Sequence, residues 1–198
     1  MSKRWRLERQ IEFIKIADRL KSVIRSNRTM DGSRLENAAE HSWSAALMAY
    51  ILAEYSNEKD LNVPLVCKML LIHDVVEVEA GDTLIYDRKG IASQWRREQN
   101  AADRVFGILP SDQGEEWRRI WREFEASATP EARFARAVDQ LSAVLANYFN
   151  NGGSWREFQV KKDEIIRTNS PIHSASKSLG KYVMALVSEL ARVGHIEK

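Results

Sequence analysis

Four side chains that could bind a divalent metal ion lie in three otherwise apolar segments of the sequence. His73 and Asp74 directly follow an apolar run, His41 opens an amphipathic segment, and Asp139 lies within FARAVDQLSAVLANY. Ionisable groups in such segments destabilise the fold unless something compensates their desolvation. Two imidazoles and two carboxylates suit Mn, Fe, Co, Ni or Zn, and a bound cation would offset the burial of both aspartates. The four residues therefore predict a divalent-metal site.

A purely structural interpretation of the same residues stays open. An ion pair with Arg133 or Arg136 would also compensate the burial of Asp139, and only Arg136 shares its helical face. Adjacent residues on a regular helix point about 100° apart, so His73 and Asp74 can share a metal only near a helix end or distortion. Gly81 follows soon afterward and is the interruption that the sequence offers.

Helices are predicted to position these residues, because the 198-residue chain has only 9 Gly, 4 Pro and little β-branched alternation. Apolar residues recur at spacings of three and four and predict one apolar stripe, made of Leu7, Ile11, Ile14, Ala17, Leu20 and Val23 or Ile24. The segment RSNRTMDGSRLENAAE is predicted as a polar connection with Asp31-Gly32 as its turn. The predicted helices span residues 6–24, 40–55, 65–76, 91–106, 111–126, 130–149, 155–168 and 175–193. The fold class predicted is all-α.

The predicted organisation is a single domain over residues 1–198, with a metal-site core at about 20–150. Helices within residues 154–194 are expected to pack on that core. Formal net charge is only +2, which does not indicate general attraction to polymeric nucleic acid. The sequence shows no signal-peptide pattern and no bilayer-spanning segment, and the single cysteine, Cys67, excludes an intramolecular disulfide. A cytoplasmic protein is predicted.

The motifs together resemble those of a known family. His41, the pair His73-Asp74 and Asp139 look like the H…HD…D signature of the HD-domain metal-dependent phosphohydrolases. HDxxExxxGD, with an upstream ExxxEHS and a downstream helical aspartate, is far more specific than a bare HD pair. The small 5′-deoxynucleotidases and their eukaryotic HD-domain-containing relatives resemble residues 20–148 most closely, through ENAAEHSWSAALMA, LLIHDVVEVEAGD and RAVDQLSAVLANY.

That resemblance implies an HD-domain helical bundle holding one divalent metal ion (Co, Mn, Fe, Ni, Zn or Mg) on the four residues. It also implies functional roles for Glu77 and Asp82. We expect Glu77 to orient or deprotonate the attacking water; its alternative is a solvated acid at a helix end. Asp82 is expected to donate a proton to the departing nucleoside oxygen, or else to cap the turn after Gly81.

A phosphate monoester also requires a cation, and the connection before His41 offers Arg25, Arg28 and Arg34. The resemblance selects Arg25, which follows LKSVI much as the family's phosphate-contacting arginine follows its first helix. In the deoxynucleotidase branch a bulky residue near the sugar tends to come next. Ser26 stands here, so ribonucleotides stay open as substrates beside 2′-deoxynucleotides.

The predicted activity is release of phosphate from nucleoside 5′-monophosphates. One alternative is HD-type hydrolysis of another phosphate ester or of a nucleoside triphosphate, although no extra histidine pair for a second metal is evident. The other is a non-enzymatic helical protein that binds a partner through QWRREQNAADRVF and EEWRRIWREF. Those segments are more typical of amphipathic packing or of a homodimer surface, and a homodimer is predicted.

Overall fold

The order of the helices follows from a computed structural model of the chain. It describes residues 2–81 and 88–197, with the side chains of the second range from residue 95 onward. The α-helices described are α1 (Lys3–Ala17), α2 (Ala38–Leu52), α3 (Val63–Ile72), α4 (Glu77–Ala80), α5 (Arg88–Phe106), α6 (Ser111–Ala126), α7 (Pro130–Phe149), α8 (Gly153–Glu157), α9 (Lys162–Thr168), α10 (Ser170–Ala175) and α11 (Lys177–Arg192). The predicted all-α class is confirmed.

Three short 3₁₀ segments extend or follow these helices, at Asp18–Ser22, Ala53–Tyr55 and His73–Val76. The helix predicted at residues 91–106 follows the segment LIYDRKG. Part of that segment lies outside the described residues, and Arg88 to Gly90 begin α5. None of the described helices is both long enough and apolar enough to cross a bilayer.

The helices that carry the predicted ligands begin at side-chain caps that the sequence encodes. Asn37 Oδ1 accepts a hydrogen bond from the Glu40 backbone N–H at 3.0 Å, and Glu40 Oε2 accepts one from the Asn37 N–H at 3.3 Å. This reciprocal capping box fixes the start of α2. Thr129 Oγ1 accepts from the Ala132 N–H at 3.2 Å, which confirms the predicted start of α7.

A small antiparallel hairpin replaces the predicted polar connection. Its strands are β1 (Ile24–Arg28) and β2 (Leu35–Asn37), and its turn contains Gly32 at φ +72°. The hairpin also ends the first helical stretch earlier than predicted, since strand pairing takes over at Ile24. At the turn, Asn150 Nδ2 donates to the Thr29 carbonyl at 2.9 Å and thereby ties the hairpin to the end of α7.

The large apolar residues of α2 point to solvent, and its small residues point to the core. Ala38, Ala45 and Ala49 are fully buried, and α2 packs against both α3 and α7. Small side chains allow helices to approach closely, which explains why this face was chosen for the interior. The residues on the opposite face are exposed: Trp43, Leu47, Tyr50 and Ile51. We call these four residues the α2 outer stripe.

The first three residues of the predicted apolar stripe are exposed, whereas Leu20, in the 3₁₀ segment after α1, is buried in the core. Leu7, Ile11 and Ile14 face solvent, whereas Phe13 is buried against the rings of Phe106 and Trp117. Aromatic packing decides which face of α1 turns inward, and spacing alone did not identify it.

The aromatic-basic segment of α6 is used for packing. Ile120, Trp121 and Phe124 are buried on one face, as the amphipathic interpretation predicted. The predicted helix at 155–168 is instead two short helices, α8 and α9, because Gln159 adopts a left-handed conformation at φ +54°. The predicted break at Ser170 opens α10, and α10 and α11 both pack against α7.

Candidate metal centre

The four predicted ligands come from three elements that pack together. His41 lies in the first turn of α2, His73 and Asp74 lie in the 3₁₀ turn after α3, and Asp139 lies midway along α7. Helix α2 contacts α3, the 3₁₀ turn and α7, and α3 contacts α7. His41, His73 and Asp74 are buried, and Asp139 is largely so.

The structure brings the side chains of all four residues into one cluster. One ligand atom each from His41, His73 and Asp139 lies within 4.8 Å of the others. Asp139 Oδ1 is 2.9 Å from His41 Nε2 and 3.6 Å from His73 Nε2. Asp74 Oδ1 is 3.0 Å from the same His73 nitrogen. Donor atoms of His41, His73 and Asp139 therefore converge on one small volume, and Asp74 adjoins it through its contact with His73.

A change of helix type allows neighbouring His73 and Asp74 to meet. The α-helix ends at Ile72, and the Glu77 N–H bonds the Asp74 and Val75 carbonyls instead of making the α-helical bond to the His73 carbonyl. Trp121 Nε1 donates to that carbonyl at 3.2 Å. The distortion therefore begins at His73 itself, and the interruption expected from Gly81 was placed too late in the chain.

The hydrogen bond at His73 shows why a cation fits. His73 Nδ1 lies 2.8 Å from the Leu70 carbonyl, which can only accept, so this nitrogen carries the proton. In the neutral ring Nε2 then presents a lone pair, and it is buried with no hydrogen bond to the described residues. That lone pair faces carboxylate oxygens at 3.0 and 3.6 Å, and such an arrangement is repulsive without an intervening cation. The donor set fits a divalent ion.

The charge around His41 favours its protonated form when no cation is bound. Burial and the positive charge of Arg25 both lower the pKa of His41. Hydrogen bonds to Asp139 and Glu36, together with the charge of Asp74, outweigh them and raise this pKa to about 9. A cation that binds His41 must therefore displace a proton at neutral pH.

The ion-pair interpretation of Asp139 receives little support. Arg136 Nη1 is 3.9 Å from Asp139 Oδ2, whereas its Nη2 is 3.2 Å from Glu125 and its guanidinium covers the Phe124 ring at 4.2 Å. Burial raises the pKa of Asp139, but the hydrogen bond from His41 and the nearby His73 imidazole hold it well below its usual range. The imidazoles are thus the main partners of this carboxylate.

Arg25 is the one member of the three loop arginines that contacts a predicted ligand within the described part of the chain. It lies on β1, and its Nη1 donates to Asp74 Oδ2 at 2.7 Å. Arg28 instead donates to the Gly32 carbonyl, and Arg34 pairs with Glu40, both at the exposed surface. The hairpin therefore delivers Arg25 to the cluster.

The two predicted catalytic carboxylates are Glu77 and Asp82. Glu77 begins α4 directly after the 3₁₀ turn, and its side chain is partly buried. Asp82 lies outside the described residues. Their functional roles stay predictions.

One polar residue of the cluster was not predicted. Glu36, on β2, places Oε2 3.5 Å from His41 Nδ1 and 4.0 Å from Arg25 Nε. It begins the ExxxEHS motif, so the sequence contained a signal. Because residues 25–40 were predicted as a connection without strands, nothing indicated that Glu36 would turn inward.

Comparisons with known proteins define the class. The HD domain family model matches residues 17–179. A solved structure described as a predicted metal-dependent phosphohydrolase, from Magnetospirillum magnetotacticum, is 43% identical with a TM-score of 0.93 and covers 98% of this chain and 96% of its own. The chain belongs to the HD-domain family, and the predicted HD-domain helical fold is confirmed.

Curated relatives share the resemblance at lower identity. Human 5′-deoxynucleotidase HDDC2 is 28% identical over 136 residues, which are 68% of this chain and 65% of the human protein. The 5′-deoxynucleotidase yfbR of Photorhabdus temperata is 27% identical over 152 residues, covering 73% and 77% respectively. The match thus spans about two thirds of the human relative. The predicted similarity to this branch is confirmed.

Proposed function

We propose that the chain is a metal-dependent phosphohydrolase that releases phosphate from nucleoside 5′-monophosphates, with 2′-deoxynucleotides preferred. The observation that carries the proposal is the convergence of two imidazoles and two carboxylates beside Arg25. The relatives named 5′-deoxynucleotidase support the substrate class.

In this proposal His41, His73, Asp74 and Asp139 hold one divalent ion. When bound, such an ion acidifies water and offsets the negative charge of a phosphate ester. The four ligands come from rigid or capped elements, which limits their reorganisation when the substrate arrives. The buried wall behind them, where the Phe124 ring lies 5.0 Å from that of His73, keeps bulk water from one side.

Arg25 supplies the positive charge that holds the phosphate. Its planar guanidinium matches phosphate oxygens in a forked geometry, whereas lysine would act as a point charge. The bond to Asp74 orients Arg25 towards the ligands, and its side chain is only 14% exposed. Removal of the guanidinium is therefore expected to weaken substrate binding.

Glu77 and Asp82 manage the protons of the reaction. Glu77 accepts a proton from the attacking water as the water oxygen bonds to phosphorus. The bond between phosphorus and the sugar 5′ oxygen breaks, and Asp82 donates the proton that this oxygen requires. The products are inorganic phosphate and a nucleoside, and the overall proton balance closes through solvent.

The preference for the deoxy sugar rests on the relatives alone. Ser26 is small and partly buried on β1, so it offers little bulk against a ribose 2′-hydroxyl. A pocket that does not fill that space rejects one hydroxyl within only about a hundredfold. Discrimination between deoxy- and ribonucleotides is therefore expected to be modest.

A metal-by-substrate screen tests the proposal. Chelator-treated protein, reloaded with Co²⁺, Mn²⁺ or Zn²⁺, should release phosphate from dAMP, AMP, dUMP and UMP, and kcat/KM should favour the deoxy compounds. Equal values would leave a general monophosphatase. Release of pyrophosphate or nucleotide would instead identify a triphosphohydrolase or diesterase. No product with any metal would remove the enzymatic assignment.

We also propose that the chain forms a homodimer through the α2 outer stripe. Trp43, Leu47, Tyr50 and Ile51 are 63%, 45%, 70% and 60% exposed. With fully exposed side chains of roughly 150–250 Å² each, the stripe offers about 500 Å² per copy. Two copies related by a twofold axis would bury about 1,000 Å², which reaches the lower bound for a specific interface. A second copy is thus a sufficient occupant of this face.

A further inference from the structure

Glu36 is the one carboxylate of the described cluster to which no role has been assigned. Its side chain is 13% exposed, and Oε2 lies 3.5 Å from His41 Nδ1. The other nitrogen of the same ring, Nε2, lies 2.9 Å from Asp139 Oδ1. His41 is therefore held between one acid on each side, of which Asp139 is a predicted ligand and Glu36 is not.

We propose that Glu36 is a positioning residue that fixes the tautomer and the orientation of His41 for metal binding. A histidine ligand presents one nitrogen to the metal and donates the N–H of the other to an acceptor, commonly a carboxylate. At His73 the acceptor is the Leu70 carbonyl, as described above. At His41 the corresponding acceptor is Glu36, so that both ligands turn Nε2 towards the same volume.

The position of Glu36 beside Arg25 gives it a second contribution. Its Oε2 lies 4.0 Å from Arg25 Nε, and Arg25 in turn bonds Asp74. An uncompensated guanidinium next to a divalent ion would disfavour metal binding through like-charge repulsion. The negative charge of Glu36 offsets part of it. One carboxylate thus supports a histidine ligand directly and, through Arg25, an aspartate ligand.

The local fold explains how Glu36 reaches these partners. Residues alternate sides along a strand, and on β2 the neighbours Leu35 and Asn37 serve other purposes. Leu35 is exposed, and Asn37 caps α2. His41 lies in the first turn of that helix. Fixing Asn37 in the capping box therefore also fixes the path from Glu36 to His41.

Metal affinity tests the inference separately from the proposed activity on which it builds. Glu36→Gln keeps the size of the side chain but removes its charge, and Glu36→Ala removes the acceptor. Titration of chelator-treated protein with Zn²⁺ should show roughly 10- to 100-fold weaker binding in Glu36→Ala and a smaller loss in Glu36→Gln. Glu157→Gln, the same change at an exposed position at the end of α8, is the control and should keep the parental affinity.

The histidine tautomer gives a readout that a merely structural role would not move. In the zinc-loaded parent, ¹⁵N NMR should show the proton of His41 on Nδ1, and this signal should weaken or exchange faster in Glu36→Ala. Parental affinity in both variants would overturn the inference, and so would a zinc-loaded parent whose His41 carries its proton on Nε2. If the parent itself does not bind metal, the proposed function fails first, and the two failures are thus distinguishable.

Discussion

Asp139 Oδ1 is approached by two imidazoles at once, at 2.9 Å from His41 and at 3.6 Å from His73. Both imidazoles therefore lie beside one carboxylate oxygen, and their ring centroids are 5.4 Å apart. These residues could be predicted from the sequence because ionisable side chains are uncommon within apolar helices. The contact of Glu36 with His41 could not be predicted, because it depends on the hairpin, and the hairpin itself was not predicted.

Asp139→Asn should remove most of the bound metal while keeping the fold. The amide has nearly the same size as the carboxylate, but it lacks the charge that offsets a cation, so binding should weaken. The parent is expected to carry about one divalent ion per chain after loading with Co²⁺ or Zn²⁺, measured by inductively coupled plasma mass spectrometry. Asp163→Asn on α9 is the control. A folded Asp139→Asn protein with parental metal content would exclude this residue as a ligand.

Glu77→Gln should separate chemistry from metal binding. Loss of a general base typically lowers turnover by about 10²-fold or more, whereas the ligands themselves are untouched. The comparison is kcat for phosphate release at equal metal content. Glu79→Gln is the matched control, because Glu79 pairs with Arg104 at the surface. Parental turnover in Glu77→Gln would assign the water to another group.

The raised pKa of His41 predicts a pH-dependent stability of the metal-free protein. A folded-state pKa of about 9, above the ordinary 6.5, stabilises the fold fully below pH 6.5 and progressively less as pH rises through 9. Urea unfolding in chelator should show a decline of up to about 3 kcal/mol over this window. Zn²⁺ affinity should rise over the same window, because fewer protons compete. His41→Gln should flatten the stability profile.

At the scale of elements, helix starts were predictable and helix faces were not. Thr129 and Pro130 predict the start of α7 from local chemistry, and in the structure α7 begins at Pro130. The inward face of α2 depends on its neighbours α3 and α7, which select its alanines over its large residues. Likewise, the 3₁₀ turn at His73 depends on Trp121, 48 residues away. Such choices are tertiary and leave no periodicity to detect.

Gly32→Ala should disturb the hairpin that carries Arg25. Gly32 has φ +72°, and a Cβ there would lie 2.5 Å from Asn150 Oδ1. Gly194, at φ +81°, is the matched control, since a Cβ there meets nothing within 4 Å. Alanine at either position costs about 1–2 kcal/mol for the left-handed backbone, and only Gly32→Ala adds the contact. Chemical denaturation should therefore show the larger loss for Gly32→Ala, together with a raised KM. Equal losses of stability in Gly32→Ala and Gly194→Ala would show that the Asn150 side chain moves aside at no cost.

At the scale of the whole molecule, the homodimer proposed above would form on the back of the helix that holds His41. His41 and the buried alanines of α2 face the interior, and the four residues of the α2 outer stripe face outward. Association of two copies would therefore cover the outer side of this helix and restrain it without entering the cluster.

Tyr50→Glu should convert the proposed dimer to a monomer. Tyr50 is 70% exposed, so the substitution leaves the folded monomer largely unaffected and instead places a charge within the interface. Sedimentation velocity should show the loss of the dimer species. Tyr182→Glu, at an exposed site on α11, is the control and should leave the mass unchanged. A parent that is monomeric at tens of micromolar protein would rule out this use of the stripe.

The anchoring of the hairpin to α7 has a consequence for which sequence changes the chain can accept. Asp139 lies on α7, and Asn150 caps the end of the same helix. The two residues are about 16 Å apart at the usual rise per residue. Asn150 bonds the hairpin turn, and the hairpin carries Arg25. One residue inserted between positions 139 and 150 would swing the anchor by about 100° and carry Arg25 away from the cluster. Insertions and deletions should therefore be tolerated after Asn150, in the turn that leads to α8. Between residues 139 and 150 they should disrupt the site.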